Sequence, residues 1–160
     1  MGAKTSIPVR TPVPKGKIRL CQAGFTVSHH TGRAHTVINT IVKHYPDKYE
    51  SWFFFMGIKE FKTWIAEFKK TSLSESDAKS FANHSSSPFC WFETEDGKVE
   101  VKGGRDRLCE WALATFTENT PADAEIRKEA ETEPSRMKEA FFSKVQGTAE
   151  GSQGTTNGSN

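Results

Sequence analysis

Ser85-Ser86-Ser87-Pro88-Phe89-Cys90-Trp91-Phe92-Glu93-Thr94-Glu95-Asp96-Gly97-Lys98-Val99-Glu100-Val101-Lys102-Gly103-Gly104-Arg105 is the stretch that decides the reading of this chain. A serine-proline step leads into a short apolar strand, Phe89 to Phe92. A turn containing Asp96-Gly97 follows, then a second strand, Val99 to Val101, and Gly103-Gly104 opens a helix at Arg105. Aspartate-glycine between two strand-like runs is a hairpin signal. The succession closes a sheet with a hairpin and leaves backbone N–H groups at a helix start, where an anion is favoured.

Upstream, Ile18 to Ala23 reads as a strand ending at Gly24, followed by a polar loop from Thr26 to Gly32. Ala34, Val37, Ile38, Ile41, Val42 and Tyr45 then recur at helical spacing, with Pro46 as the stop. Trp52-Phe53-Phe54-Phe55-Met56 is a continuous apolar run, which predicts a central strand buried on both faces and ended by Gly57. Ile58, Phe61, Trp64, Ile65 and Phe68 predict a second amphipathic helix. A Ser-rich break from Thr71 to Ser74 precedes a short helix from Glu75 to Ala82, which Ser72 or Ser74 caps. After the hairpin, Leu108, Cys109, Ala112, Leu113 and Phe116 stripe a further main helix. The expected order is β-α-β-α-(α)-β-β-α, with a parallel first crossover and an antiparallel final pair.

Four segments follow from composition: a flexible basic N-terminal arm over 1–16, a domain over 17–117, a charged helical extension over 118–146 and a disordered tail over 147–160. The arm carries Pro8, Pro12 and Pro14 with Lys4, Arg10 and Lys15 and no acid. The extension predicts one or two helices broken at Pro134, with sparse apolar positions at Ile126, Met137, Phe141 and Phe142. The tail is rich in Gly, Ser, Thr and Asn and buries too little to offset its ordering entropy.

The 160 residues suffice for one domain with a real core. A formal net charge of +2 supplies no basic footprint for nucleic acid. No apolar stretch reaches the length of a membrane span, and the N-terminus lacks the apolar run of a secretory signal. Cys21, Cys90 and Cys109 are widely spaced, form no zinc pattern and fall within expected strands or a helix, as small core hydrophobes do. A cytoplasmic, reducing location is the expectation.

With Pro88 before the third strand and Gly103-Gly104 after the fourth, the chain over about 17–117 resembles a glutaredoxin-type protein of the thioredoxin-like superfamily. The resemblance implies an α/β fold with a mixed four-stranded sheet flanked by helices, plus an extra C-terminal helix. Glutaredoxins carry Cys-Pro-Tyr-Cys after the first strand, Thr-Val-Pro before the third and Gly-Gly-x-Asp-Asp at the last helix. The corresponding segments here are Ser28-His29-His30-Thr31, Ser86-Ser87-Pro88 and Gly103-Gly104-Arg105-Asp106-Arg107. The proline and glycines match, and the cysteine tetrad does not.

Thiol–disulfide exchange requires a thiolate, its pKa lowered at the helix N-terminus. Ser28 stands at that position, so reductase chemistry and a cluster-ligating role are both unexpected. The resemblance implies instead that the binding half survives. A cis bond at Ser87-Pro88 would offer backbone hydrogen bonds to the cysteinyl part of glutathione. Gly103, Gly104, Arg105 and Asp106 would hold its γ-glutamyl carboxylate, with His29, His30 and Thr31 on the facing side. Three readings follow: a thiol-free module binding glutathione, a peptide or a protein partner; a glutathione-dependent oxidoreductase or transferase using Ser28 or a non-motif cysteine; or a purely structural domain with an empty groove. The first is the leading expectation, with no resident cofactor. Ser28 has a simpler account as an ordinary helix-start residue.

Other constellations carry less. Adjacent His29 and His30, with His35 and Arg33, lack a carboxylate or Cys to complete a metal set, so no metal is expected. Met1-Gly2-Ala3-Lys4-Thr5-Ser6 fits the N-myristoylation pattern, and Lys4, Arg10, Lys15 and Lys17 would supply the electrostatic second signal for peripheral membrane association. The aromatic runs do not follow the strand order of an RNA-recognition sheet, and no Gly-x-Gly-x-x-Gly follows the first strand.

Overall fold

The computed structural model describes residues 11–25, 28–84 and 87–132, so the first ten residues of the arm, the expected break at Pro134 with Met137, Phe141 and Phe142, and the 147–160 tail lie outside the described residues. Nine elements follow in order: β1 (Ile18–Phe25), α1 (His29–His44), β2 (Tyr49–Met56), α2 (Ile58–Ser72), α3 (Glu75–Ser80), β3 (Phe89–Thr94), β4 (Val99–Gly103), α4 (Arg105–Thr115) and α5 (Pro121–Glu131). The strands form one mixed sheet in the order β2-β1-β3-β4. β1 runs parallel to β2 from Ile18↔Tyr49 to Phe25↔Met56 and antiparallel to β3 from Ile18↔Thr94 to Ala23↔Phe89. β3 and β4 form the antiparallel hairpin.

The period-two alternation of the strands builds a three-layer α/β structure. Leu20, Cys90 and Phe92 face a core shared with Val37, Ile38 and Ile41 of α1, Leu108 and Ala112 of α4, and Ile126 of α5. Cys21, Ala23, Trp52, Phe54, Phe89 and Trp91 face the opposite core, with Phe61, Trp64, Ile65 and Phe68 of α2. Trp91 is the hub of that second layer, its ring 4.5 Å from Phe68, 5.6 Å from Trp64 and 6.0 Å from Trp52. All three cysteines are buried free thiols.

Several boundaries differ from the sequence expectation. The Trp52–Met56 run belongs to an outer strand, not a central one. Its apolar character reports helices on both faces of the sheet, which says nothing about its rank in the strand order. The loop expected from Thr26 to Gly32 is shorter, because α1 begins at His29. The Ser28 hydroxyl accepts from the Thr31 N–H at 3.2 Å, and this cap starts the helix a turn before its apolar stripe. The Thr71 to Ser74 break also shrinks: α2 runs through Ser72, and Ser74 caps α3, which ends at Ser80.

The extension is partly integral. Thr120 caps α5, Pro121 occupies its first turn, and Ile126 is fully buried. Three polar ties fix it to α1: Arg33 to Glu129, the Tyr45 hydroxyl to Asp123, and Lys43 and His44 to Glu125. Residues 11–16 lie against the domain too. The buried Arg19 guanidinium donates to the Thr11 carbonyl at 2.6 Å and pairs with Glu50 at 2.5 Å. Among the described residues no helix is long and apolar enough to cross a membrane.

Candidate functional site

The site is built at the end of the sheet where β1 finishes. Ser87-Pro88 is a cis peptide bond, as the sequence expectation required. The Ser87 hydroxyl accepts from the Phe25 N–H at 2.8 Å and shares a hydrogen bond with the Thr31 hydroxyl. One side chain therefore ties the end of β1, the first turn of α1 and the proline loop together. Gly24 permits this closeness, since a Cβ there would collide with both the Ser87 and Thr31 oxygens. The Ser28 N–H donates to the Phe25 carbonyl at 3.3 Å, which holds Ser28 in the same cluster.

The opposite wall comes from the start of α4. Gly103 has φ +96°, a left-handed conformation favouring glycine, and its Cα faces the Phe81 ring. It ends β4 opposite Cys90, beside a shift in the hairpin register, and lets the chain turn into α4. Gly104 is the N-cap in an extended conformation, and a Cβ there would lie 3.5 Å from His84 and 3.9 Å from the Pro88 carbonyl. The backbone amides of the following turn stand outside the intrahelical ladder. Arg105 reaches across and donates through Nε to Nδ1 of His30 at 3.2 Å, while its second arm meets Asp106 at 2.6 Å.

The structure thus brings together Ser28, His30, Ser87, Pro88, Gly104 and Arg105 from three separate segments. The His29 ring lies beside that of His30, centroids 4.3 Å apart and planes tilted by 34°. Thr31 is fully buried, its carbonyl accepting from Gln22 Nε2 at 2.9 Å, so its side chain positions the loop from within. Asp106 is exposed and acts on Arg105.

Two contributors escaped the sequence reading. His84 donates through Nε2 to the Pro88 carbonyl at 3.2 Å and stands beside Gly104. Gln22, wholly buried on β1, supports α1 from beneath. Nothing in their sequence surroundings marks either residue; only the fold of the 81–84 segment and the register of β1 place them.

The nearby thiols are poorly suited to redox work. Burial pushes the Cys90 thiol far up, with Cys109 adding to the effect. Burial raises Cys109 as well, although Arg105 opposes it. Neither offers thiolate at neutral pH. Among the described residues no cluster of three or more His, Cys, Asp or Glu side chains is arranged to hold a metal ion. A separate cavity of about 300 Å³ lies at the far end of the sheet, between Thr11, Pro12, Val13, Glu93 and Glu95. It is remote from the cluster of Ser28, Pro88 and Arg105, because Thr94 pairs with Ile18 at the opposite end of β1.

Comparison with protein-family models, with curated proteins and with solved structures found no match.

Proposed function

We propose that the chain is a thioredoxin-like domain of the glutaredoxin type whose groove binds glutathione, or a peptide or protein segment of the same extended form, without thiol chemistry. The observation that carries this reading is the meeting of the cis Ser87-Pro88 loop with the start of α1 through Thr31, and of α1 with Arg105 through His30. An extended ligand would lie along the proline loop, using backbone groups. Its terminal carboxylate would meet the first amides of α4 and the Arg105 guanidinium, a charge-assisted pairing.

Ser28 occupies the place of the family's attacking sulfur. Its hydroxyl accepts from the Thr31 N–H as a helix cap, and among the described residues no general base bonds to it. An unassisted hydroxyl is a weak nucleophile. The domain therefore acts by binding.

Calorimetric titration of the full chain with glutathione, paired with disulfide-reduction and electrophile-conjugation assays, tests this. Binding without turnover is the expected result. Turnover that disappears in Ser28→Ala would replace the reading with a serine-assisted transferase. Absence of binding would leave only a structural role. Ser28→Cys should gain weak reductase activity, since it restores a sulfur at a helix N-terminus beside an intact groove.

A further inference from the structure

The contact between Arg105 and His30 has a chemical asymmetry that bears on how the groove holds an anion. A guanidinium has donors only, so the hydrogen bond from Nε at 3.2 Å requires an unprotonated Nδ1 on His30. While that bond stands, His30 is neutral. Protonating it would remove the bond and set an imidazolium against a permanent cation. An anion placed on Arg105 reverses both costs, because it gives the guanidinium a better partner and offsets the second positive charge.

We propose that the groove takes up its ligand's carboxylate together with a proton: the carboxylate draws Arg105 away from Nδ1 of His30, and His30 accepts a proton from solvent. This inference rests on the ligand-binding reading above and specifies its regulation. The charged and titratable groups around the pair are His29 on α1, Arg105, Asp106 and Cys109 on α4, Arg33 near Cys109, and His84 across Gly104. Burial keeps the Cys109 thiol protonated between pH 6 and 7.5. Of the groups named, the imidazoles of His29, His30 and His84 are the kind of side chain whose charge ordinarily changes in that window. Of these, His30 is the one whose ring nitrogen accepts from the ligand-binding arginine.

Linkage then fixes the sign. Protonation and anion binding strengthen each other by the same factor, so affinity rises as pH falls. With one proton coupled, affinity at pH 6.0 should exceed that at pH 7.5 by roughly three- to tenfold. The glutathione carboxylates stay ionised throughout, and any proton taken up by the ligand's own amine would appear equally with His30→Asn, so the variant isolates the proton on the protein.

The test is calorimetric titration of the full chain with glutathione at pH 6.0 and 7.5, in buffers of different ionisation enthalpy, for the native sequence and His30→Asn. The asparagine carbonyl keeps an acceptor for Arg105 but cannot take the proton. Proton uptake and tighter binding at pH 6.0 in the native chain, with neither pH slope nor proton uptake in His30→Asn, is the expected result. Equal affinity at both pH values without proton uptake overturns the inference and leaves the binding reading standing. A pH slope that persists in His30→Asn moves the proton to His29 or His84 and overturns the assignment. No binding at either pH removes both. Should the variant fail to fold, the titration of the His30 ring by NMR in the native chain decides: a midpoint raised by glutathione supports the coupling, and an unchanged one refutes it.

Discussion

Replacing Ser87 by Ala should loosen the groove more than a loop serine ordinarily would. Its hydroxyl accepts from the Phe25 amide and shares a hydrogen bond with the fully buried Thr31 hydroxyl. Losing one typical hydrogen bond costs about 1 kcal/mol, and stranding a buried polar partner costs about 1–3 kcal/mol. Together these give a destabilisation of about 3 kcal/mol, or a fall in Tm of roughly 10 °C for a domain of this size. Thr31→Val removes the other hydroxyl with little change of volume. Because the two side chains share one bond, the double variant should be less destabilised than the sum of the single ones by about 1 kcal/mol. Urea unfolding of the four proteins in the cycle measures this. Additivity within about 0.3 kcal/mol, or a Tm unchanged in Ser87→Ala, would refute the claim that this hydroxyl joins the three segments.

Other outcomes follow from buried charges and thiols. His35 lies edge-on to Phe53 and Phe55, and burial lowers its pKa from 6.5 to about 4. A lowered histidine stabilises the fold above pH 6.5 and loses that contribution as pH falls towards 4, by up to about 3 kcal/mol. The urea midpoint should decline over that window, and His35→Gln should flatten the decline. Cys90 and Cys109, both raised by burial, should resist a disulfide reagent at pH 8 in the native protein and react on unfolding. Prompt labelling of either in the folded state would contradict their packing. Glu129→Gln should loosen α5, because Arg33 is buried against it; a loss of about 1–3 kcal/mol in chemical denaturation is expected.

Much of the architecture was legible because periodicity and punctuation agreed. The short apolar run Phe89–Phe92, the Asp96-Gly97 turn and the stripes of α1, α2 and α4 each reported a local constraint that the tertiary structure kept. What escaped had non-local causes. An apolar run such as Trp52–Met56 records what covers a strand, whereas strand order depends on pairings far away in sequence. The start of α1 is a local exception: Ser28 reads as a helix-start residue and does cap α1, although the apolar spacing by itself places the helix later. Sparse apolar residues left open whether the extension packs over the domain edge or stays mobile; α5 docks through buried Ile126 and Ala130 and three polar ties to α1. At the site, Ser28, Pro88, Gly104 and Arg105 were readable through motif order. His84 and Gln22 enter only because folding carries them beneath or beside those positions.

The most direct measurement is an amide chemical-shift map of the full-length chain during addition of glutathione. Saturable shifts concentrated at Ser28, His30, Ser87, Gly104 and Arg105, and weakened by Arg105→Ala, are the predicted result. Perturbations scattered elsewhere, or none at millimolar ligand, would contradict the account.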